Sequence, residues 1–487
     1  MSKISNRHSK KIGEDPNLIT IDVAKPKVHI GLFGSVAFCM GSMIGSGIFI
    51  SPTGALQNTG SIGMSIVIWG FCGVLSLLFG LVYGELGTRL PHSGGDFNYI
   101  NKGLGPMPAF LVAWTVPLFI STAGMAVLAL VFADYLLAFL FQSCTPRVLL
   151  TKAIAAAMIV TLGVVNAWSA RLGAYTQMFC TVVKVTALFL ISIGGVVFLC
   201  QGQVEHFKNS FEGSATNVTS YTLAIYSCMF AYGGFSRVGD IAEELINPKR
   251  NIPKAVIISV IAVTIIYVTT NISFFALLPK AEFLSSSAVA YDWALKGIRP
   301  VAFFIPISVL LSVYGASNGI SFGTSRILFS VARAGQYPEV MSFLHVKSSV
   351  PVVSVIIIHV ISLVMLIPGN IGTLINFLSF LSFILMMLTS ISLLKIRYLQ
   401  RNEKTNNDDF RTPILIPILS GFLCLFLVVT PFVSTPQIEF LYSLAIVVAG
   451  VAIYIPFIQF GIKIPGTDAL TKLFQLVCNI CPPEKIS

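Results

Sequence analysis

The sequence predicts an all-α polytopic membrane protein of about twelve transmembrane helices, and three observations lead there. The first is composition: 55% of the 487 residues are hydrophobic, 10% are charged and the mean hydropathy is +0.85, whereas soluble domains carry about 25% charged residues. The second is recurrence. A bilayer-crossing helix needs ~20 mostly apolar residues, and such runs follow one another along nearly the whole chain. The third is a pair of glycine-rich interruptions at matching places in two of those runs. The expected organisation is an N-terminal tail over 1–29, a transmembrane unit over 30–463 and a C-terminal tail over 464–487, with no separate soluble domain.

The expected spans, numbered 1 to 12, are 31–56, 61–89, 106–141, 148–168, 176–200, 219–245, 254–279, 300–335, 349–368, 371–395, 411–432 and 438–463. Residues 1–29 are polar and basic, and no cleavage site follows the first apolar run, so that run is expected to be retained as span 1. The net charge of +11 would suit nucleic acid in a soluble protein. Here most of the Lys and Arg residues fall on the N-terminal side of the twelve-span layout, the pattern of cytoplasmic loops. Both tails are therefore expected in the cytoplasm.

Several chemistries are excluded. The six histidines, at 8, 29, 92, 206, 345 and 359, are scattered, and neither H-E-x-x-H nor G-x-S-x-G occurs. Cys478 and Cys481 have C-x-x-C spacing but no second pair, so no metal is expected there. An enzyme is not expected, nor is a cofactor.

The chemistry lies in the interruptions. Span 1 carries Gly41-Ser-Met-Ile-Gly-Ser-Gly-Ile-Phe49 and span 6 carries Phe230-Ala-Tyr-Gly-Gly-Phe-Ser236. Glycine is poor in a helix interior, so both favour a break. Five spans apart, the two segments run in opposite directions, which is the signature of an inverted-repeat transporter. A break at membrane depth is tolerated only where it is buried in protein or lines a cavity. A zwitterion supplies what such a gap lacks. Its carboxylate can accept from N–H groups at a half-helix N-terminus, assigned here to Ile44, Gly45, Ser46 and Gly47 with the Ser46 hydroxyl. Its ammonium can donate to carbonyls of Phe230, Ala231 and Gly233. The simpler alternative is that the glycines only let helices pack closely.

Other charged and polar residues need an account. Lys184 lies mid-span in span 5, costly unless it faces protein or water. Glu85 and Asp134 are near span ends and are expected to reach the interface. Arg237 has Asp240 three residues on, the spacing of a helical ion pair. Glu243 and Glu244 are expected to pair with Lys249 and Arg250. Cys144, after three crossings from a cytoplasmic start, falls in an oxidising compartment without an evident partner in the chain, which points to an intermolecular bond. Asn217-Val-Thr219 is a glycosylation sequon close to the membrane; Asn271-Ile-Ser273 falls inside span 7 and is expected unmodified.

Taken together, Ile44-Gly-Ser-Gly-Ile-Phe49, Phe230-Ala-Tyr-Gly-Gly-Phe235, Glu243-Glu244, Asn247-Pro-Lys-Arg-Asn-Ile-Pro253, Gly315-Ala-Ser-Asn-Gly319 and Ser325-Arg326 with Arg333-Ala-Gly335 resemble the light chains of heteromeric amino-acid transporters. These are the L-type amino acid transporters of the amino acid–polyamine–organocation superfamily. The resemblance covers essentially the whole chain. It implies a LeuT-type 5+5 inverted repeat with spans 1 and 6 broken, alternating access, and sodium-independent exchange of amino acids at the plasma membrane. It implies that Lys184 braces spans 1 and 8, where sodium-coupled relatives hold an ion. It also implies that Cys144 bonds a single-span heavy-chain glycoprotein. Cys481-Pro-Pro-Glu484 and Asn209-Ser-Phe-Glu-Gly213 resemble the light chain that pairs with rBAT, which is favoured over the 4F2 heavy chain. In that broad-specificity light chain an aspartate holds the place of Gly233, and a tryptophan is common at the place of Phe235. The expectation is therefore a neutral amino-acid exchanger admitting large or aromatic side chains, akin to the aromatic-preferring members, with Phe235 and Ser236 beside the substrate. Exchangers of cationic, acidic or cystine substrates are the alternative, ahead of a channel or an intramembrane enzyme.

Overall fold

Apolar runs this long leave their backbone groups without water, and helices satisfy those groups within the segment. The computed structural model describes residues 30–90, 95–141, 148–168, 170–237, 239, 245–346, 350–401, 410–434, 437–462 and 467–482. Its helices are α1 (Leu32–Met43), α2 (Gly47–Thr59), α3 (Ile62–Arg89), α4 (Gly95–Leu104), α5 (Pro106–Thr115), α6 (Ser121–Leu140), α7 (Val148–Trp168), α8 (Ala170–Cys200), α9 (Val218–Tyr232), α10 (Pro248–Leu277), α11 (Lys280–Ser285), α12 (Val289–Gly297), α13 (Phe304–Arg333), α14 (Val352–Met365), α15 (Ile371–Leu399), α16 (Leu415–Ser434), α17 (Ile438–Ile453) and α18 (Thr467–Cys478). A two-residue strand β1 (Leu344–His345) pairs antiparallel with β2 (Ile480–Cys481). A π-helical turn over Val116–Ile120 joins α5 to α6; it contains Pro117, which has no N–H to continue the ladder.

Among the described residues, nine helices are long and apolar enough to cross a bilayer, and ten if α1 and α2 count as one span bent by 50°. The expected twelve differ at two places. Span 6 yields α9, which stops after 15 residues because Gly233 leaves helical geometry (φ −55°, ψ 144°) and Gly234 takes φ +116°. Span 9 yields α14, apolar but only 14 residues long, set between Pro351 and Pro368. The expected loop over 280–299 instead folds into α11 and α12, where the buried Trp293 indole donates to the Ser273 carbonyl at 3.0 Å. The C-terminal tail contributes α18 and β2, so its last strand is tied to the connection between α13 and α14.

The helices that position the breaks pack in a fixed pattern. α3 lies along α10, α2 against α9, and α8 against both α10 and α13. α7, α16 and α17 turn many apolar side chains outward, among them Val164, Phe422 and Leu441, as a lipid-facing surface requires.

Glu85 departs from expectation. It does not reach an interface but is 0% exposed. Its carboxylate accepts from Arg397 Nε at 2.8 Å, from Arg397 Nη2, from Arg89 Nε at 2.9 Å, and from the Thr412 N–H and hydroxyl, both at 2.8 Å. Arg89 lies four residues on along α3, a local helical spacing, but the other donors come from α15 and from the segment before α16, which no local sequence pattern around Glu85 announces. A buried carboxylate is tolerated when its lone pairs are filled in this way; removing one partner of such a pair costs about 3–5 kcal/mol.

Candidate functional site

The two glycine-rich segments meet: the first interrupts a helix between α1 and α2, and the second ends α9. α1 ends at Met43, where the Ile44 N–H donates to the Met40 carbonyl at 2.7 Å and the Gly45 N–H to the Met43 carbonyl at 2.8 Å. α2 begins at Gly47, with Ser46 as its N-cap. The four N–H groups assigned to a carboxylate therefore divide. Those of Ile44 and Gly45 close the end of α1. Those of Ser46 and Gly47, joined by Ile48, lie at the start of α2, where a helix has no partners of its own for its first N–H groups. Ser46 is 2% exposed and Gly45 is half-buried.

Opposite, α9 ends at Tyr232. Its last carbonyls, including those of Phe230 and Ala231, have no helical donors ahead of them. Gly233 is exposed and Gly234 half-buried, between the buried Ala231 and Tyr232 and the buried Phe235. The breaks interlock: a Cβ on Gly47 would lie 2.5 Å from Ala231 Cα, and one on Gly234 would lie 2.7 Å from the Ser42 carbonyl oxygen. The glycines thus do two things, breaking each helix and letting the two backbones touch. Close packing and the gap are not alternatives here.

Tyr267, on α10, joins both ends. Its hydroxyl lies 2.8 Å from the Met43 carbonyl oxygen and 3.1 Å from that of Ala231. A phenol has one proton, so it donates to one of these carbonyls at a time. Tyr267 is fully buried in an aromatic collar, with ring centroids 5.6 Å from Trp69 and 5.1 Å from Tyr232, while the Tyr232 hydroxyl donates to the Trp69 carbonyl at 3.0 Å. The sequence reading missed Tyr267. Its only signal was a hydroxyl in the middle of the apolar run Ile265-Ile-Tyr-Val268. The Ala231 carbonyl, assigned to an ammonium, is thus shared with Tyr267.

Lys184 is 3% exposed and its Nζ donates to the Gly41 carbonyl at 2.9 Å, in the last turns of α1. It therefore does not snorkel. α8, which carries it, packs on α13. On the same α13, Asn318 accepts a hydrogen bond of 2.9 Å from Asn166 of α7. Phe235 is 1% exposed, its ring edge-on to Tyr83 with centroids 5.7 Å apart. Ser236 is half-buried and Arg237 is exposed one turn beyond the break. Asp134 is half-buried on α6. Cys144, Asp240, Glu243 and Glu244 lie outside the described residues, and so do the pairings expected of them. Among the described residues no group of His, Cys, Asp and Glu could hold a metal ion.

The steric contrast between two neighbouring glycines is testable. The nearest atom to a Cβ on Gly45 is 3.9 Å away, against 2.5 Å for Gly47. Gly47→Ala should destabilise the purified protein by about 1–3 kcal/mol, read as a lowered unfolding temperature in detergent, while Gly45→Ala should leave that temperature nearly unchanged. Equal effects would contradict the interlocked breaks.

Comparison with known proteins agrees with this geometry. A family model described as amino acid permease matches residues 30–456. The chain is 35% identical to the b(0,+)-type amino acid transporter 1 of Mus musculus over 98% of each chain. It is 37% identical to the cystine/glutamate transporter of Homo sapiens over 94% of this chain and 91% of that one. It is 38% identical to the large neutral amino acids transporter small subunit 2 of Rattus norvegicus over 68% of this chain and 62% of that one. A broken first span, a second helix that ends against it and a family match across nearly the whole transmembrane unit lead to one conclusion: this chain belongs to the amino acid permease family, as a multi-pass membrane transporter and not an enzyme.

Proposed function

We propose that the chain is a sodium-independent exchanger of neutral L-amino acids, including large or aromatic ones, working by alternating access. In this reading the spans form a twelve-helix, LeuT-type 5+5 inverted repeat, with α1–α2 as broken span 1 and α9 with its continuation as broken span 6. The observation that carries it is the contact of the two breaks at Gly47 and Ala231. It sets the N-terminus of α2, which favours a carboxylate, beside the C-terminus of α9, whose carbonyls favour an ammonium.

Side-chain preference follows from the gap. The exposed residue at the α9 break is Gly233, which offers no carboxylate to a cationic side chain, and an unpaired charge in a low-dielectric cavity is costly. The three relatives are named for different substrates, so preference has to arise from residues such as these. Lys184, bonded to Gly41, serves in this proposal as a built-in cation coupling span 1 to the helices behind it. Arg237, exposed one turn past the gap, is the observation that favours an acidic or cystine substrate instead.

Tracer efflux from cells or proteoliposomes tests the exchanger. External leucine, phenylalanine or tyrosine should accelerate efflux of a labelled neutral amino acid without sodium, and Lys184→Ala should slow it at unchanged surface expression. Lysine, arginine and glutamate should compete weakly. Strong competition by arginine would end the neutral reading, strong competition by glutamate or cystine would select the role suggested by Arg237, and efflux indifferent to external substrate would remove exchange altogether.

The partner proposed is a single-span heavy-chain glycoprotein, rBAT in preference to the 4F2 heavy chain, bonded through Cys144 at the plasma membrane with both tails of this chain in the cytoplasm. Support comes from the position of Cys144 in the twelve-span layout and from a relative whose name describes a small subunit. Cys144→Ser should abolish the high-molecular-weight band on non-reducing gels after co-expression with rBAT. A band that persists would sink the assignment.

A further inference from the structure

We propose that Ala215 rivets the far end of α2 to α9, and that this rivet sets the axial register of the two helices so that the site takes α-amino acids in preference to β-amino acids. The inference rests on the site being the amino-acid site proposed above, and it concerns residues that do not themselves border the breaks.

α2 starts at its break and α9 ends at its own. Gly47 meets Ala231, Gly54 meets Ser227 and Thr59 meets the segment just before α9, so the two helices lie antiparallel. The open N–H groups of α2 thereby stand beside the open carbonyls of α9. The helices touch through glycines: a Cβ on Gly47 would lie 2.5 Å from Ala231 Cα, and one on Gly54 would lie 2.8 Å from Ser227 Oγ. Such contacts bring backbones close but supply no ridge to seat in a groove, so by themselves they resist sliding poorly. A slide of one residue along a helix is about 1.5 Å, close to the length of one C–C bond. That is also the extra reach that one added methylene gives a zwitterion. Whatever fixes the register of α2 on α9 decides which zwitterion spans the two sets of groups.

The register is held at the other end of α2, which at 13 residues is about 20 Å from the break. Ala215 stands three residues before Val218, the first residue of α9. Its N–H donates to the carbonyl of Thr59, the last residue of α2, at 2.9 Å, and its own carbonyl accepts from the Tyr221 hydroxyl, in the first turn of α9, at 2.6 Å. One residue is thus bonded to both helices. Beside it the Ser61 and Ser214 hydroxyls are 2.7 Å apart, and the Gly63 N–H donates to the Ser210 carbonyl at 2.7 Å. Lys280 of α11 donates to the Gly60 carbonyl, a cation at the C-terminus of α2 where the helix dipole favours one. These bonds fill carbonyls that the end of α2 leaves open. Hydrogen bonds are directional, which glycine contacts are not, so here the register is defined. Tyr221 and Ser214 are positioning residues, acting on substrate only through the placement of α2 against α9.

The test compares leucine with β-homoleucine, whose carboxylate and ammonium stand one carbon further apart, as inhibitors of labelled leucine uptake by the full-length chain at the cell surface. The wild type should favour leucine by about tenfold or more, the cost of leaving one end of the longer zwitterion poorly paired. Tyr221→Phe keeps the ring and removes the bond to Ala215. It should cut that ratio about threefold or more, the worth of a typical hydrogen bond, through a higher KM for leucine at nearly unchanged kcat. Ser214→Ala should move the ratio in the same direction and serves if Tyr221→Phe does not reach the surface. Rescue separates positioning from general damage. In the Tyr221→Phe background, Ser61→Cys with Ser214→Cys should form a disulfide under oxidant that restores the ratio, and reductant should abolish the gain, with the chain lacking these two cysteines treated alike as the control. A wild type that takes both compounds equally, a ratio unmoved by both Tyr221→Phe and Ser214→Ala, or a disulfide that forms without restoring it would overturn the proposal. If the chain takes up arginine, glutamate or cystine in place of leucine, the neutral-substrate reading fails, and the same comparison on that amino acid and its β-homologue still decides the role of the rivet.

Discussion

A peptide group left open inside a bilayer has nowhere to find a partner except in protein, trapped water or a ligand. Everything around the two helix breaks answers that constraint. The end of α1 is closed by Ile44 and Gly45 folding back on their own helix. Lys184 donates to Gly41 just upstream, and the Tyr267 hydroxyl reaches Met43 and Ala231 together. The start of α2 and the end of α9 keep open groups of opposite polarity, and the contact at Gly47 sets them side by side. The Met43 carbonyl also accepts from the Gly45 N–H, so when the single phenol proton goes to Met43 the Ala231 carbonyl is the one left open to an ammonium.

The same economy governs the charges. Lys184 and Glu85 are both costly when buried in such a chain, and each is engaged: Lys184 donates to the Gly41 carbonyl just before the break, and Glu85 accepts from five donors at the far end of α3. They play different parts. Lys184 ties a helix that ends at the gap to a helix behind it, whereas the Glu85 cluster joins α3 to α15 and to the segment before α16. Removing one partner of such a buried cluster is costly, so its contacts hold α3 to α15 and to the segment before α16.

Much of this was legible in the sequence, for a physical reason. Hydropathy and the glycine triplets act locally, so the spans, the broken first helix and the end of α9 could be read from windows of a few residues. The charge of Lys184 was legible because a lysine at membrane depth has few options. What escaped depends on contacts between distant segments. Tyr267 looks like any aromatic residue in an apolar run until α10 is set against both breaks. Glu85 looked interfacial because Arg397 and Thr412 are some three hundred residues away. The burial of the Phe235 ring edge-on against Tyr83 likewise depends on α3, about 150 residues away in sequence. α4, α12 and α18 lie in stretches too short or too polar to announce spans, and they form because packing on neighbouring helices offsets what their sequences lack.

The central claim is that main-chain groups at the two breaks hold both ends of a zwitterion, and competition by truncated ligands addresses it most directly. Inhibition of labelled neutral amino-acid uptake by tyrosine is compared with inhibition by tyramine, which lacks the carboxylate, and by 3-(4-hydroxyphenyl)propionate, which lacks the ammonium. The account predicts that tyrosine competes and that each truncated ligand is weaker by about 10-fold or more, since each leaves a buried set of donors or acceptors unpaired. Tyramine or the propionate competing as well as tyrosine would show that one end of the zwitterion is not held at the breaks, and would contradict the account.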